Sequence, residues 1–123
     1  MTDHVSGDKF EAYLVDDWLV RFDWTEGATI SSSDAQAVLD AAATLTGNVA
    51  RPVLVDLRNV AAVERVARKM FASTPATSRQ ALLVGSPLSR TLGNFFLALN
   101  RPTMPVKLFD DEAAAIAWLN DGG

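Results

Sequence analysis

The apolar residues of this chain change their spacing along its length, and that change limits the folds open to it. From Phe10 to Trp24 they recur at every second position. Phe10-Glu11-Ala12-Tyr13-Leu14-Val15 alternates, Asp16-Asp17 interrupts, and Trp18, Val20, Phe22 and Trp24 then share one face while Leu19, Arg21 and Asp23 take the other. A period of two in aromatic and β-branched residues predicts half-buried strands, here an antiparallel hairpin turning at Asp16-Asp17. Those aspartates form turns readily, although tight hairpins prefer a glycine that is missing here. The aromatic stripe is expected to be core; its alternative use is a stacking platform for a ring or a base.

Beyond Trp24 the period lengthens. Ser31-Ser32-Ser33-Asp34 offers helix N-caps, Ala35, Val38, Leu39, Ala42 and Leu45 follow at helical spacing, and Gly47 closes the segment. Val53-Leu54-Val55-Asp56-Leu57 is almost continuously apolar, as a strand covered on both faces would be. Val63, Val66 and Met70, with Phe71 nearby, predict the buried stripe of a second helix. Ala81-Leu82-Leu83-Val84-Gly85 is another central strand. Ser86-Pro87 starts a third helix, serine as cap and proline at a position with no amide to lose. Leu88, Leu92, Phe95, Phe96 and Leu99 are expected to face the core from it, before Asn100 and Pro102 end it. Val106-Lys107-Leu108-Phe109 is a last strand, and Asp110-Asp111-Glu112 opens a final helix with negative charge where the helix dipole favours it. The fold class is α/β: the order ββαβαβαβα implies a mixed, mostly parallel sheet with helices packed on it. At 123 residues the chain is expected to be one domain, residues 1–123, behind a flexible leader over residues 1–8.

Composition excludes several chemistries. Without cysteine there is no disulfide, thiol nucleophile or thiolate-bound metal. The only histidine, His4, lies in the polar leader, a poor place for a general base. The longest apolar run, Ala113 to Leu119, is far short of the about 20 residues that span a membrane, and the polar, acidic start does not resemble a secretory signal. These features predict a cytoplasmic protein with no membrane span, no metal and no cofactor.

The net charge of −4 hides a strong asymmetry. Residues 1–50 carry two basic and nine acidic side chains, residues 51–109 nine basic and two acidic, and residues 110–123 four acidic. The basic middle predicts a polar field across the fold. With Val63, Val66 and Met70 turned inward, Arg65, Arg68 and Lys69 should point to solvent. Arg58 precedes that helix, and Arg90 lies in the first turn of the next beside Ser86 and Ser89. In an open α/β sheet, anions gather at the carboxyl ends of strands and at helix N-termini. These seven residues are therefore the candidate binding site, for an acidic partner surface or an anionic small ligand. The alternative is a solvated face in which Glu64 pairs with Arg68 one turn on. Nucleic acid is not expected, because the sequence pI is about 4.8 and no aromatics interleave the arginines.

Other constellations read as structure. Asp16, Asp17, Asp56 and Lys107 are the residue types of a phosphoacceptor receiver, but no helix follows the acidic pair. Asp110, Asp111 and Glu112 are explained by helix capping, and Gly85-Ser86-Pro87 lacks the lysine of a phosphate-binding loop.

The element order, and the stretch Asp56-Leu57-Arg58-Asn59-Val60, Ala62-Val63, Glu64-Arg65-Val66-Ala67, resembles the STAS family of anti-sigma-factor antagonists and sulfate-transporter domains. Members commonly read Asp-Leu-Ser-Gly-Val, an apolar pair, then Asp-Ser-Ser-Gly. Here Glu64 replaces the aspartate, and Arg65 or Val66 stands where family members carry a phosphorylatable serine. The stretch from Ser86 through Phe109 to Leu119 is similar to uncharacterised bacterial STAS-like proteins. The resemblance implies a non-enzymatic regulatory or scaffold module that binds a partner protein and lacks the usual serine switch. A binder of an acidic lipid or other anion is the alternative, and an enzyme of unknown type the third. A homodimer is among the assemblies such a module allows.

Overall fold

The computed structural model describes residues 3–74 and 77–121. Strands β1 (His4–Ser6), β2 (Phe10–Val15), β3 (Leu19–Trp24), β5 (Arg51–Asp56), β7 (Thr77–Leu83) and β8 (Val106–Phe109) form one sheet in the order β1-β2-β3-β5-β7-β8. The first three are antiparallel neighbours and the last four parallel ones. Strands β4 (Ala28–Ile30) and β6 (Val60–Val63) pair separately as a parallel ribbon. Helices α1 (Ser32–Thr46), α2 (Arg65–Ala72) and α3 (Pro87–Asn100) cover one face of the sheet, and α4 (Glu112–Asp121) covers the other. The mixed, mostly parallel α/β architecture is the one the changes of period imply. Three short strands, β1, β4 and β6, are additions to it.

Local chemistry sets the boundaries. Ser31 and Asp34 cap α1 reciprocally, and Gly47 ends it at φ 63°, a left-handed conformation that costs glycine little. Asp16 and Asp17 both have positive φ, and the Trp18 amide donates to Val15 O at 3.2 Å, closing a turn of the primed type. Aspartate tolerates that region well enough to serve without glycine. Because the loop takes up Trp18, this residue leaves the stripe of Val20, Phe22 and Trp24 and packs with Leu19 and Val15 on the α4 side. The expected leader is also partly ordered: β1 pairs with β2, and the His4 ring stacks on Tyr13 at 4.7 Å. Residues 1 and 2 lie outside the described residues.

The core has two layers. Val20, Phe22, Val53 and Leu82 meet α1, Ala67 of α2 and Phe96 of α3; Leu19, Leu54, Ala81 and Leu83 meet Ala115 and Leu119 of α4. Parallel register places Val20, Val53, Gln80 and Val106 in one row across the sheet, and Phe22, Val55, Leu82 and Leu108 in the next.

Two helices turn differently from the expectation. In α3 the buried residues are Ser89, Gly93 and Phe96, so Phe96 is 7% exposed and Phe95 51%. A Cβ at Gly93 would lie 2.9 Å from the Leu108 side chain, so the small residues let the helix approach β8 closely and rotate Leu88, Phe95 and Leu99 outward. In α2 Ala67 and Ala72 are buried and Val66 is 56% exposed. Val63 belongs to β6, so a helical period counted from it starts before the helix does.

Truncating the two adjacent phenylalanines should separate these alternatives. Phe96→Ala is expected to cost about 3–5 kcal/mol, the range for deleting a buried aromatic, and Phe95→Ala no more than about 1 kcal/mol. Urea unfolding of both variants measures the difference.

Candidate functional site

At the carboxyl ends of the parallel strands the expected anion site is already neutralised from within. Asp56, at the end of β5, is buried and accepts from the Arg58 amide (3.0 Å), from Arg58 Nε (3.0 Å) and from Arg58 Nη2 (2.7 Å). Its second cation is Arg21, with Nη2 3.7 Å away. Arg21 in turn donates to Asp23 at 2.9 Å and pairs with Glu112 at the start of α4. The Arg58 stem lies against Gly85, where a Cβ would come within 3.0 Å of it. Arg90 pairs with Asp110 across the α3–β8 side.

Ser86 and Ser89 form a closed cap. Ser86 Oγ accepts from the Ser89 amide at 3.1 Å, and Ser89 Oγ accepts from the amides of Gly85 and Ser86, both at 3.1 Å, while donating to Ser86 O. The Ser89 amide of the first turn, and the Gly85 and Ser86 amides before it, are thereby spent on the two serines rather than on an anion. Arg58, Arg90, Ser86 and Ser89 are accounted for by structure, and the acids that occupy the two arginines are distant from them in sequence or hidden at a strand end.

The three basic residues of α2 divide. Arg65 and Lys69 are exposed, as expected. Arg68 is not outward: Nη1 donates to Val63 O at 2.8 Å, and the side chain joins the wall of a cavity of about 60 Å³ between α1, α2, α3 and the sheet. Glu64 gives Arg68 its backbone carbonyl and no carboxylate contact among the described residues, so the expected ion pair along the helix does not form. The reason is the same shift of helical phase that exposes Val66.

A different surface emerges. Val66 on α2 and Leu88, Phe95 and Leu99 on α3 are each half exposed or more, and α2 and α3 pack side by side, joined where the Thr103 amide donates to Ala72 O at 2.8 Å. Arg65 and Lys69, on the same helix as Val66, are exposed, and from Arg65 to Phe109 the chain contains no acidic residue. The outer α2–α3 face thus combines apolar groups with two exposed cations, Arg65 and Lys69. The sequence carried one signal for it: Ser89, Gly93 and Phe96 are spaced for an inward stripe of small residues, competing with the larger one beside it.

The residue types of a receiver are not assembled. Asp56 ends β5, whereas Asp16 and Asp17 lie beyond the start of β3, at the opposite margin of the parallel strands. Lys107 lies over the Phe109 ring at 5.4 Å. Among the described residues no group of three His, Asp or Glu side chains converges to hold a metal ion, and no helix is long and apolar enough to cross a membrane.

Burial pushes the Asp56 carboxyl up, but hydrogen bonds from Arg58 and the charges of Arg58 and Arg21 outweigh it and hold the group below the ordinary carboxylate range. A depressed carboxyl contributes stability above its unfolded-state value and loses it as pH falls through the folded one. Asp56→Asn should therefore cost about 1.5–3 kcal/mol at neutral pH, the usual worth of hydrogen bonds to a charged group, and the loss should shrink toward strongly acid pH. Chemical denaturation across that range checks both the size and the slope.

A family model described as a domain of unknown function, DUF7793, matches residues 13–122. Among solved structures, an uncharacterised protein of the DUF3478 family from Shewanella loihica PV-4, described as having a SpoIIAA-like fold, superposes with a TM-score of 0.61 at 15% identity, covering 97% of this chain and 98% of that one. A protein of unknown function from Arthrobacter sp. FB24 is 38% identical over 89% of this chain and 97% of its own, with a TM-score of 0.36. No curated protein matches the sequence. The chain belongs to the DUF7793 family and has a SpoIIAA-like, that is STAS-like, fold.

Proposed function

We propose that this chain is a non-enzymatic regulatory or scaffold module that docks an acidic, amphipathic segment of a partner protein on the outer α2–α3 face. The observation that carries this reading is the coincidence of Val66, Leu88, Phe95 and Leu99, all substantially exposed, with the exposed cations Arg65 and Lys69 of α2, to which no ion pair forms among the described residues. Apolar side chains supply the area that drives association, and the exposed Arg65 and Lys69 favour an acidic partner and speed encounter. A purely solvated helix face would need charge but not four large apolar groups. Control by serine phosphorylation at the start of α2 has no acceptor, since residues 60–72 contain no Ser, Thr or Tyr.

The test is a photo-crosslinking amino acid at Phe95, with Ala117 on α4 as control, in cells of the native host. The expected product is a covalent adduct with one heterologous acidic protein, formed at position 95 and not at 117. Arg65→Glu with Lys69→Glu should abolish it while stability changes by no more than about 0.5 kcal/mol, because both side chains are exposed. The adduct should also fade with added salt, as interactions between exposed charges do. An adduct of twice the protein's own mass would replace this reading with a homodimer. Sedimentation with anionic vesicles and no protein adduct would replace it with a membrane surface.

A further inference from the structure

The cavity behind α2 is apolar with a single charged side chain in its wall. Its walls are Trp24, Val55, Phe71, Leu82 and Phe96 with other apolar residues, and Arg68 is the only charged side chain among them. Arg68 spends Nη1 on Val63 O, but its Nε–H is buried with no acceptor among the described residues. No carboxylate lies within ion-pair distance of it there, unlike Arg21, Arg58 and Arg90, each of which has one. A buried guanidinium donor with neither acceptor nor counter-charge is unfavourable unless something supplies both.

A second group points the same way. Gln80 occupies the row Val20, Val53, Gln80, Val106, where its neighbours are all valine, and it lines the cavity. It is 5% exposed. A valine there would complete the apolar row, so the Gln80 amide makes one spot of the cavity wall polar.

We propose that this cavity binds a small monocarboxylic acid whose apolar body lies among the aromatic and aliphatic walls. Its carboxylate accepts from Arg68 Nε–H and from the Gln80 amide. The size follows from the volume: about 60 Å³ is well under the roughly 150 Å³ of a cavity that holds benzene, so the acid is a short one of about two to four carbons. The charge follows from the lining. One guanidinium compensates one negative charge, so a phosphate dianion would bury a second charge with no partner. The site is separate from the outer α2–α3 face, so either can fail without the other.

Propionate and butyrate are the probes, with propionamide and butyramide as neutral counterparts of the same shape. On the unmodified protein the acids are expected to raise the melting temperature and to shift the Arg68 Nε–H and Gln80 side-chain NMR signals. The amides should do so much less. Arg68→Met keeps the stem in the wall and removes the charge; it should weaken the acids about ten- to a hundredfold, the equivalent of losing a charged hydrogen bond, and leave the amides nearly unchanged. Gln80→Leu should weaken the acids by a smaller factor. Equal effects of acid and amide on the unmodified protein would overturn the proposal, as would acid-induced shifts that leave Arg68 and Gln80 unmoved. Neither class shifting any cavity signal would mean a site for water only.

Discussion

Helix α3 lies as close to β8 as it does because position 93 has no Cβ. The Leu108 side chain occupies the space one would need, and Ser89, one turn earlier, is small enough to bury completely while closing the helix cap. Close approach fixes the rotation of the helix. With Ser89, Gly93 and Phe96 against the sheet, helical geometry leaves Leu88, Phe95 and Leu99 no inward position. The same helix supplies Leu92 and Phe96 to the cavity behind α2. One missing methyl group thus bears on an outer apolar face and an inner apolar space.

The electrostatic arrangement is a contrast between two margins of one layer. Where the parallel strands end, each cation has an acid in reach: Arg58 and Arg21 on Asp56, Arg90 on Asp110. Asp56 lies within the basic middle of the chain and Asp110 in the segment that opens α4, so the cations there are balanced partly from within that middle and partly from beyond it. Along α2 nothing comparable happens. Arg65 and Lys69 remain in solvent, and Arg68 turns under the helix toward a carbonyl. Charge that is uncompensated after folding is what remains for recognition.

Much of the architecture was legible in the sequence. Alternation marked β2 and β3, Ser31 and Gly47 marked the ends of α1, and Ser86-Pro87 the start of α3, because caps and strand periods are decided by neighbours within a few residues. The faces of α2 and α3 were not legible. Hydropathy favours the larger stripe, Leu88, Leu92, Phe95 and Leu99, whereas packing chose the smaller one, which only the position of Leu108 makes preferable. For α2, the valine that set the expected phase lies in β6, a strand of four residues. The candidate site suffered most. Arg58 and Arg90 looked available because Asp56 hid its contacts at a strand end and Asp110 lies twenty residues from its partner.

The sheet's two margins have a further consequence. β2 presents six residues to its outer neighbour, yet β1 supplies only three, His4 to Ser6, and at the far side β8 is only four residues long with Lys107 in it. A long, flat, unpaired margin is a template on which a second sheet can grow. Here one side is covered by a scrap of strand held by the stacking of His4 on Tyr13, and the other is brief and carries a cation. Short margins of this kind, one of them carrying a cation, are poor templates for strand-to-strand growth.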